Sequence, residues 1–387
     1  MRIAINDYGG HGFSAALARG LAARGHQVLH VHFADVQGPK GDNARRPGDP
    51  PGLSFRAVTL GEPFRKFDFV ARWRQERRAG RLIAATIGEF APEVILTGNA
   101  PIDVQLAVAQ LFRPYVFWLQ DVVSLAMSGI LGRRLGLAGR AIGAWYGFLE
   151  RRLLRRAAGV VAITEDFRPL LAGWGVSGVE VIENWAPIAD IPVLARANAW
   201  AASRELGPEP VILYAGTLAL KHDPSLILAL ALGCPQARIV VVSEGPGADW
   251  LRARTAANLT VLPFQPFDRL AEVLASADIL LAVLEPDAGV FSVPSKVLSY
   301  FCAGRPVLAA LPAENLAARL IGREEAGIVV PPGAGAALAE AASRLLADPA
   351  EAARLGANGR AYAERAFDLD AVTRRFEAVL ERATLPR

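Results

Sequence analysis

Twelve short runs of β-branched and other apolar residues, separated by stretches with helical spacing, constrain the fold of this chain most. In the first half they are Arg2–Ile5, Val28–His32, Val94–Thr97, Tyr115–Trp118, Gly159–Ile163 and Val179–Ile182. In the second half they are Val211–Tyr214, Ile239–Val242, Leu259–Leu262, Ile279–Ala282, Val307–Ala310 and Ile328–Val330. Short apolar runs without polar alternation read as strands buried on both faces. A helix is expected over Phe13–Arg24, closed by Gly25 as a C-terminal cap. Strand–helix–strand makes the sheet parallel. Pro187, Pro192, Pro208 and Pro210 break the alternation, and the linker is placed across 184–210.

The expected fold is therefore α/β, with two doubly wound Rossmann-like domains facing across a cleft. The first spans 1–190 and the second 205–368. A C-terminal helix within 369–387, about Leu369–Ala383 with Asp368 as N-cap, is free to cross back to the first domain. Ligands of such sheets meet the carboxyl ends of the strands, so the chemistry should lie in the loops that follow them.

Length and composition narrow the function. A chain of 387 residues exceeds one core, and 52% apolar with 21% charged residues excludes disorder. Cys234 and Cys302 make neither a disulfide framework nor a zinc cluster, which fits a reducing, cytoplasmic setting. Uncharged runs such as Pro224–Ala237 reach 14 residues, short of the roughly 20 that a spanning helix needs. The chain is thus expected to be soluble or attached only to a membrane surface.

The charge is uneven: +6 over residues 1–195 and −2 over 196–387. The excess clusters at Arg65, Lys66, Arg72, Arg74, Arg77, Arg78 and Arg81, at Arg133, Arg134 and Arg140, and at Arg151, Arg152, Arg155 and Arg156. Phe64, Phe67, Phe69, Trp73, Trp145, Tyr146 and Phe148 are interleaved with it. A solvated helix face and an anionic membrane surface both account for this pattern. Nucleic acid does not, because the second half is acidic and no recognised nucleic-acid motif is present.

Four loops carry candidate chemistry. Gly9-Gly10-His11-Gly12 follows the first strand; its glycines would let a sugar or phosphate approach the backbone at a helix start. Gly10-x-Gly12-x-x-Ala15, with Asp35 about 20 residues on, also fits a dinucleotide fingerprint. Three residues between Ile5 and Gly9 make the turn too loose for that. In the second half, Gly216-Thr217 leads to Lys221, a point charge suited to phosphate. Glu244-Gly245-Pro246 sets a carboxylate after another strand. The fourth loop, Ser292-Val293-Pro294-Ser295-Lys296, reads as a helix start with Pro294 in the first helical position. Lys296 there opposes the helix dipole unless an anion is bound, which marks a functional site. No histidine has zinc-ligand spacing, and Asp368-x-Asp370 is better explained by the start of a helix. His30 and His32 are read as structural residues on one side of a strand.

Together with Leu17–Val28, Gln120-Asp121, Ile163-Thr164-Glu165, Ile182-Glu183-Asn184-Trp185 and Gly304-Arg305-Pro306, these loops resemble the bacterial family 4 glycosyltransferases of the GT-B fold. The closer likeness is to the exopolysaccharide and O-antigen (colanic-acid-type) branch. The likeness covers nearly the whole chain. It implies transfer of a sugar from a UDP- or GDP-type nucleotide-sugar, with retention and without a metal or other cofactor. The acceptor would be a saccharide, expected to be polyprenyl-linked, in cell-surface polysaccharide and lipopolysaccharide biosynthesis. The site would be cytoplasmic and peripheral on the inner membrane face.

The resemblance puts donor binding on Gly10, Gly216, Thr217, Lys221, Glu244, Gly245, Phe264, Gln265, Ser292, Val293, Ser295, Lys296 and Ser299. Pro263-Phe264-Gln265-Pro266 would lie beside the base. Acceptor binding falls to Gly9, Gly10, His11, Gln120 and Asp121, and the candidate catalytic residues are Lys221, Asp121 and His11. The sequence departs from the family where its paired glutamates would stand, at Phe291 and Ser299, so Ser299 or Glu285 would have to replace them. The loop that often carries a histidine has Gln120-Asp121, and Thr217 or Leu218 stands where an arginine often precedes the phosphate lysine. A binding or regulatory subunit, a nucleotide-sugar epimerase and an NAD-dependent oxidoreductase are the competing readings.

Overall fold

The computed structural model describes residues 1–36, 41–65, 68–98, 100–218, 222–254, 256–286 and 295–385, without the side chains of Ala126, Ile130, Arg133 and Arg134. It divides into two compact units, 1–184 with 369–387, and 185–368.

The first unit is a seven-stranded sheet: β1 (Arg2–Asp7), β2 (Gln27–Phe33), β3 (Leu53–Val58), β4 (Val94–Gly98), β5 (Tyr115–Leu119), β6 (Gly159–Ala162) and β7 (Val179–Val181). The spatial order is β3-β2-β1-β4-β5-β6-β7, and every pairing is parallel. Its helices include α1 (Gly12–Ala23), α2 (Phe69–Phe90), α3 (Ile102–Ala109), α4 (Val123–Arg156) and α5 (Phe167–Gly173). Six of these strands coincide with the apolar runs of the sequence. The seventh, β3, was not among them: Leu-Ser-Phe-Arg-Ala-Val is partly exposed at the sheet edge, and its alternation hides it from a search for unbroken apolar runs.

Gly25 ends α1 as expected. Its φ is +91°, its N–H donates to the Ala22 carbonyl at 3.0 Å, and the His26 N–H donates to that of Leu21 at 3.3 Å. This pair of bonds satisfies two carbonyls that would otherwise be orphaned.

The helix Leu369–Thr384 returns to the first unit. Phe376 is fully buried, with its ring 4.8 Å from that of Trp118. Glu377 holds Arg24 and His26, each at 2.7 Å. Gly20 on α1 is required here, since a Cβ would stand 2.3 Å from Thr373 Oγ1. Asp370 pairs with Arg24 at 3.3 Å and with Arg374, so its carboxylate serves as an arginine partner.

The second unit has six strands, β8 (Val211–Ala215), β9 (Arg238–Val242), β10 (Leu259–Leu262), β11 (Ile279–Val283), β12 (Val307–Ala310) and β13 (Gly327–Val330). Their order is β10-β9-β8-β11-β12-β13, again all parallel. This is the doubly wound architecture twice over. The segment read as a linker carries a short helix, Ala199–Ser203, in which Trp200 is buried. In each sheet the strand order reverses beside the first strand, between β1 and β4 and between β8 and β11. At such a switch point the neighbouring loops diverge and leave a crevice for ligand.

Candidate functional sites at the two switch points

In the first unit the site is built on the last residue of β1. Asp7 is buried. One carboxylate oxygen accepts the His11 backbone N–H at 2.6 Å, and the other lies 2.8 Å from His11 Nδ1. His30 Nε2 stands 3.9 Å behind the same carboxylate and meets Ser14 Oγ at 3.1 Å. Asp7 thus fixes both the backbone and the ring of His11, leaving Nε2 as the atom that can address a ligand.

Burial works against charge on this pair, and the mutual attraction outweighs it. His11 is held above its ordinary value by Asp7, with Asp121 adding to the effect. Asp7 is held below its own by His11 and then His30. His30, fully buried, is pushed down to about 4, mainly by desolvation. His11 stacks on Phe13 at 5.4 Å and Phe13 meets Trp118 of β5 edge-on at 5.4 Å. The β1 loop and the β5 end that carries Gln120 and Asp121 therefore come together.

The space beside the Gly9-Gly10 loop belongs to the chain itself. The Gly41 N–H donates to the Gly10 carbonyl at 2.8 Å, Asn43 Nδ2 donates to it at 2.8 Å, and a Cβ on Gly41 would stand 2.3 Å from Gly12 Cα. A pyrophosphate would need the room that residues 41–43 fill. Asp35, which the dinucleotide fingerprint would place on a ribose, instead accepts from Thr59 Oγ1 at 2.6 Å and from the Leu60 N–H at 2.7 Å. Both observations weigh against NAD.

In the second unit the loop after β8 is the centre. Gly216 has φ +130°, and a Cβ there would meet Lys296 Cε at 3.2 Å and Nζ at 3.3 Å. Glycine is needed so that the lysine can lie against the loop backbone. Lys296 Nζ sits 3.6 Å over the Tyr214 ring and donates to the Tyr214 hydroxyl, which itself donates to the Thr217 carbonyl at 3.0 Å. Tyr300, one turn after Lys296, accepts from the Ala215 N–H at 3.0 Å and reaches the Leu281 carbonyl at 3.2 Å. It ties the helix Lys296–Cys302 to β8 and β11. Ser243 Oγ receives the Leu218 N–H at 3.0 Å, and the Gly247 N–H donates to the Leu218 carbonyl at 3.1 Å. This joins the Gly216–Leu218 and Glu244–Gly247 loops into one surface.

The residues 9–185 match the glycosyl transferase 4-like domain, and 209–348 match the glycosyl transferases group 1 domain. Both halves of the chain therefore carry glycosyltransferase domains. Sucrose-phosphate synthase from Thermosynechococcus elongatus aligns over 99% of this chain and 98% of its own, with TM-score 0.71 and 19% identity. The Anabaena protein HepE, solved in complex with UDP and glucose, aligns over 98% and 99%, with TM-score 0.71 and 18% identity. Trehalose 6-phosphate synthase from Burkholderia multivorans aligns over 98% and 96%, with TM-score 0.65 and 12% identity. These likenesses are of fold. No curated protein matches the chain in sequence.

In this glycosyltransferase the first switch point gathers Gly9, Gly10, His11, Gln120 and Asp121. Gln120 is buried and accepts from Asn184 Nδ2, so it braces the β5 end. The second gathers Gly216, Thr217, Glu244, Gly245 and Lys296, with Ser295 at the cap of the short helix and Ser299 within it. That helix is described from Lys296; Pro294, read as its first position, lies outside the described residues. Gln265 is engaged: its carbonyl accepts from Trp200 Nε1 at 3.0 Å and Arg204 at 3.3 Å, and its amide donates to the Pro263 carbonyl at 2.9 Å. Phe264, expected beside a base, is half-buried next to it. Lys221, Ser292 and Val293, and Phe291 of the altered glutamate pair, lie outside the described residues.

Sequence reasoning passed over three residues of these sites: Asp7, Tyr214 and Tyr300. Asp7 and His11 are four apart, and so are Lys296 and Tyr300, the one spacing that could have flagged each. The structure also gives His30, read as purely structural, a place directly behind Asp7. Among the described residues no group of three or more His, Cys, Asp or Glu could hold a metal ion.

Proposed function

We propose that this glycosyltransferase moves a sugar from a nucleoside-diphosphate sugar held by the second unit to a saccharide acceptor held by the first. We infer retention, no metal, a lipid-linked acceptor and a role in exopolysaccharide or lipopolysaccharide assembly from the family resemblance of the sequence. The observation that carries the donor reading is Lys296, stacked on Tyr214 and laid over Gly216 at the strand-order reversal. A fixed cation there answers the charge that grows on a departing diphosphate. Lys221, five residues after Gly216 in the sequence, is proposed as the second cation. The UDP and glucose of the Anabaena complex support a nucleotide-sugar of this kind.

In the first unit, Asp7 raises the affinity of His11 for a proton, and the protonated ring offers Nε2–H as a donor. It donates that hydrogen bond to a hydroxyl of the acceptor or the transferred sugar, with Asp121 beside it. The leaving phosphate takes the acceptor proton as the glycosidic bond forms.

Melting the protein with UDP, GDP, TDP, CDP and their sugars, with NAD and NADP as controls, tests the donor site. A ligand at about 100 times its Kd adds about 2.7 kcal/mol. One nucleoside diphosphate should raise the melting temperature, and NAD should not. A shift with NAD alone would reverse the reading of both units.

The pH profile tests His11. Transfer should fall on the alkaline side as His11 loses its proton, above its ordinary value of 6.5. Asp7→Asn should move that limb to lower pH, and His11→Gln should remove it. A limb that rises with pH over the same range would make His11 the base instead of the donor.

A further inference from the structure

We infer that α4 and the first turns of α2 form the surface by which the protein lies on an anionic lipid bilayer. This deepens the membrane half of the function proposed above and rests on it for its purpose, though not for its geometry.

The helix α4 is an antiparallel helical hairpin that breaks at Gly136, with φ 58° and ψ −129°. Its two limbs touch through small residues. A Cβ on Gly139 would stand 2.0 Å from the Leu131 carbonyl oxygen, one on Gly143 would stand 2.7 Å from Ser128 Cα, and one on Gly147 would stand 3.8 Å from Ser124 Oγ. Glu150 closes the open end by accepting the N–H groups of Val123 at 3.1 Å and Ser124 at 3.2 Å. The glycines and Glu150 thus face inward, and the second limb exposes Ile142, Trp145 and Phe148. Leu135 and Leu137 stand at the tip, with Leu137 81% exposed, and Ile142, Trp145 and Phe148 follow. Trp145, 57% exposed, stacks on Phe148 at 5.6 Å.

The face continues onto α2. The Tyr146 hydroxyl on α4 donates to Asp103 at 2.5 Å, and Arg77 on α2 lies 4.0 Å from the same carboxylate. Phe69, Val70 and Trp73 are exposed there, with Arg77 stacked 4.9 Å over Trp73. Arg74, Arg81, Arg140 and Arg152 are exposed along the same two helices. A run of exposed apolar side chains marks an interaction surface. The arginines among them choose the partner: aromatic rings seat at the lipid headgroup level and cations draw anionic lipid. The hairpin lies on the membrane and does not cross it, since no described helix is long and apolar enough to span.

The test is co-sedimentation of the full chain with vesicles of phosphatidylcholine alone and with phosphatidylglycerol added. Wild type should pellet with the anionic vesicles and little with the neutral ones. Leu137→Asp with Trp145→Ala should weaken that partition about tenfold or more, whereas Leu232→Ala, an exposed position in the second unit, should not. Circular dichroism and the nucleotide-induced melting shift should be unchanged in the double variant, so loss of the donor site would be seen separately. The assignment is overturned by equal pelleting with both vesicle types, by no pelleting, or by pelleting that the double variant keeps. A dimer lost in the variant without vesicle binding would give this face to a second copy of the chain.

Discussion

Lys296→Ala is expected to lower transfer about 100–1,000-fold while the protein stays folded, the usual effect of removing one donor that stabilises a leaving group. The reason is positional. Lys296 Nζ is held by the Tyr214 ring and hydroxyl against Gly216, and the helix that carries it is anchored separately by Tyr300. Deleting the ammonium removes charge without removing that anchor. Tyr214→Phe keeps the ring and loses the hydroxyl, so its effect should be smaller. Steady-state kinetics with the donor identified by melting, together with circular dichroism, checks this. Near-wild-type turnover in Lys296→Ala would take the lysine out of the site. Gly216→Ala should behave like the lysine variant, because its methyl would occupy the space of Lys296 Cε.

Acidification from near pH 7 to near pH 4 is expected to cost the first unit about 3 kcal/mol through His30 alone. His30 is fully buried, and its affinity for a proton falls from the ordinary 6.5 to about 4 on folding. The unfolded chain therefore takes this proton first as pH falls below 6.5. Stability drains from there down to about 4, where the folded state also protonates. His11 has the opposite sign: its contribution is complete below 6.5 and is lost as pH rises through its raised value. Asp7 contributes above 3.8 and loses that as pH falls through its depressed value. Denaturant titrations across this range should show the acid loss, and His30→Gln, which can keep a bond to Ser14, should flatten it. An acid limb unchanged in that variant would place the sensitivity on other groups.

Both predictions rest on residues that one-dimensional reading reaches unevenly. Among the described residues, twelve of the thirteen strands were legible because parallel strands covered on both faces must be short, apolar and unbroken. Gly25 was legible because only a residue at ease with positive φ ends a helix in that way. The glycine loops announced themselves by position, each directly after a strand. Side-chain partnerships were not legible. Lys296 was marked by its conflict with the helix dipole, but Tyr214 lies 82 residues away, and nothing local connects them. Asp7 stood in the loop after the first predicted strand with no role of its own, until the turn at Gly10 brought His11 back over it.

The sequence alone determined the layer architecture, the two-sheet plan and the glycine-rich loops that follow strands, since these follow from periodicity and backbone freedom. Tertiary structure decided which polar groups are partners. It gave Asp35 to the end of β3, Gln265 to Trp200 and the Gly10 carbonyl to residues 41–43, and it turned α4 into a hairpin with Leu135 and Leu137 exposed near its tip. Those outcomes depend on distances between residues far apart in the chain, which are set only when the sheets close and the helices pack.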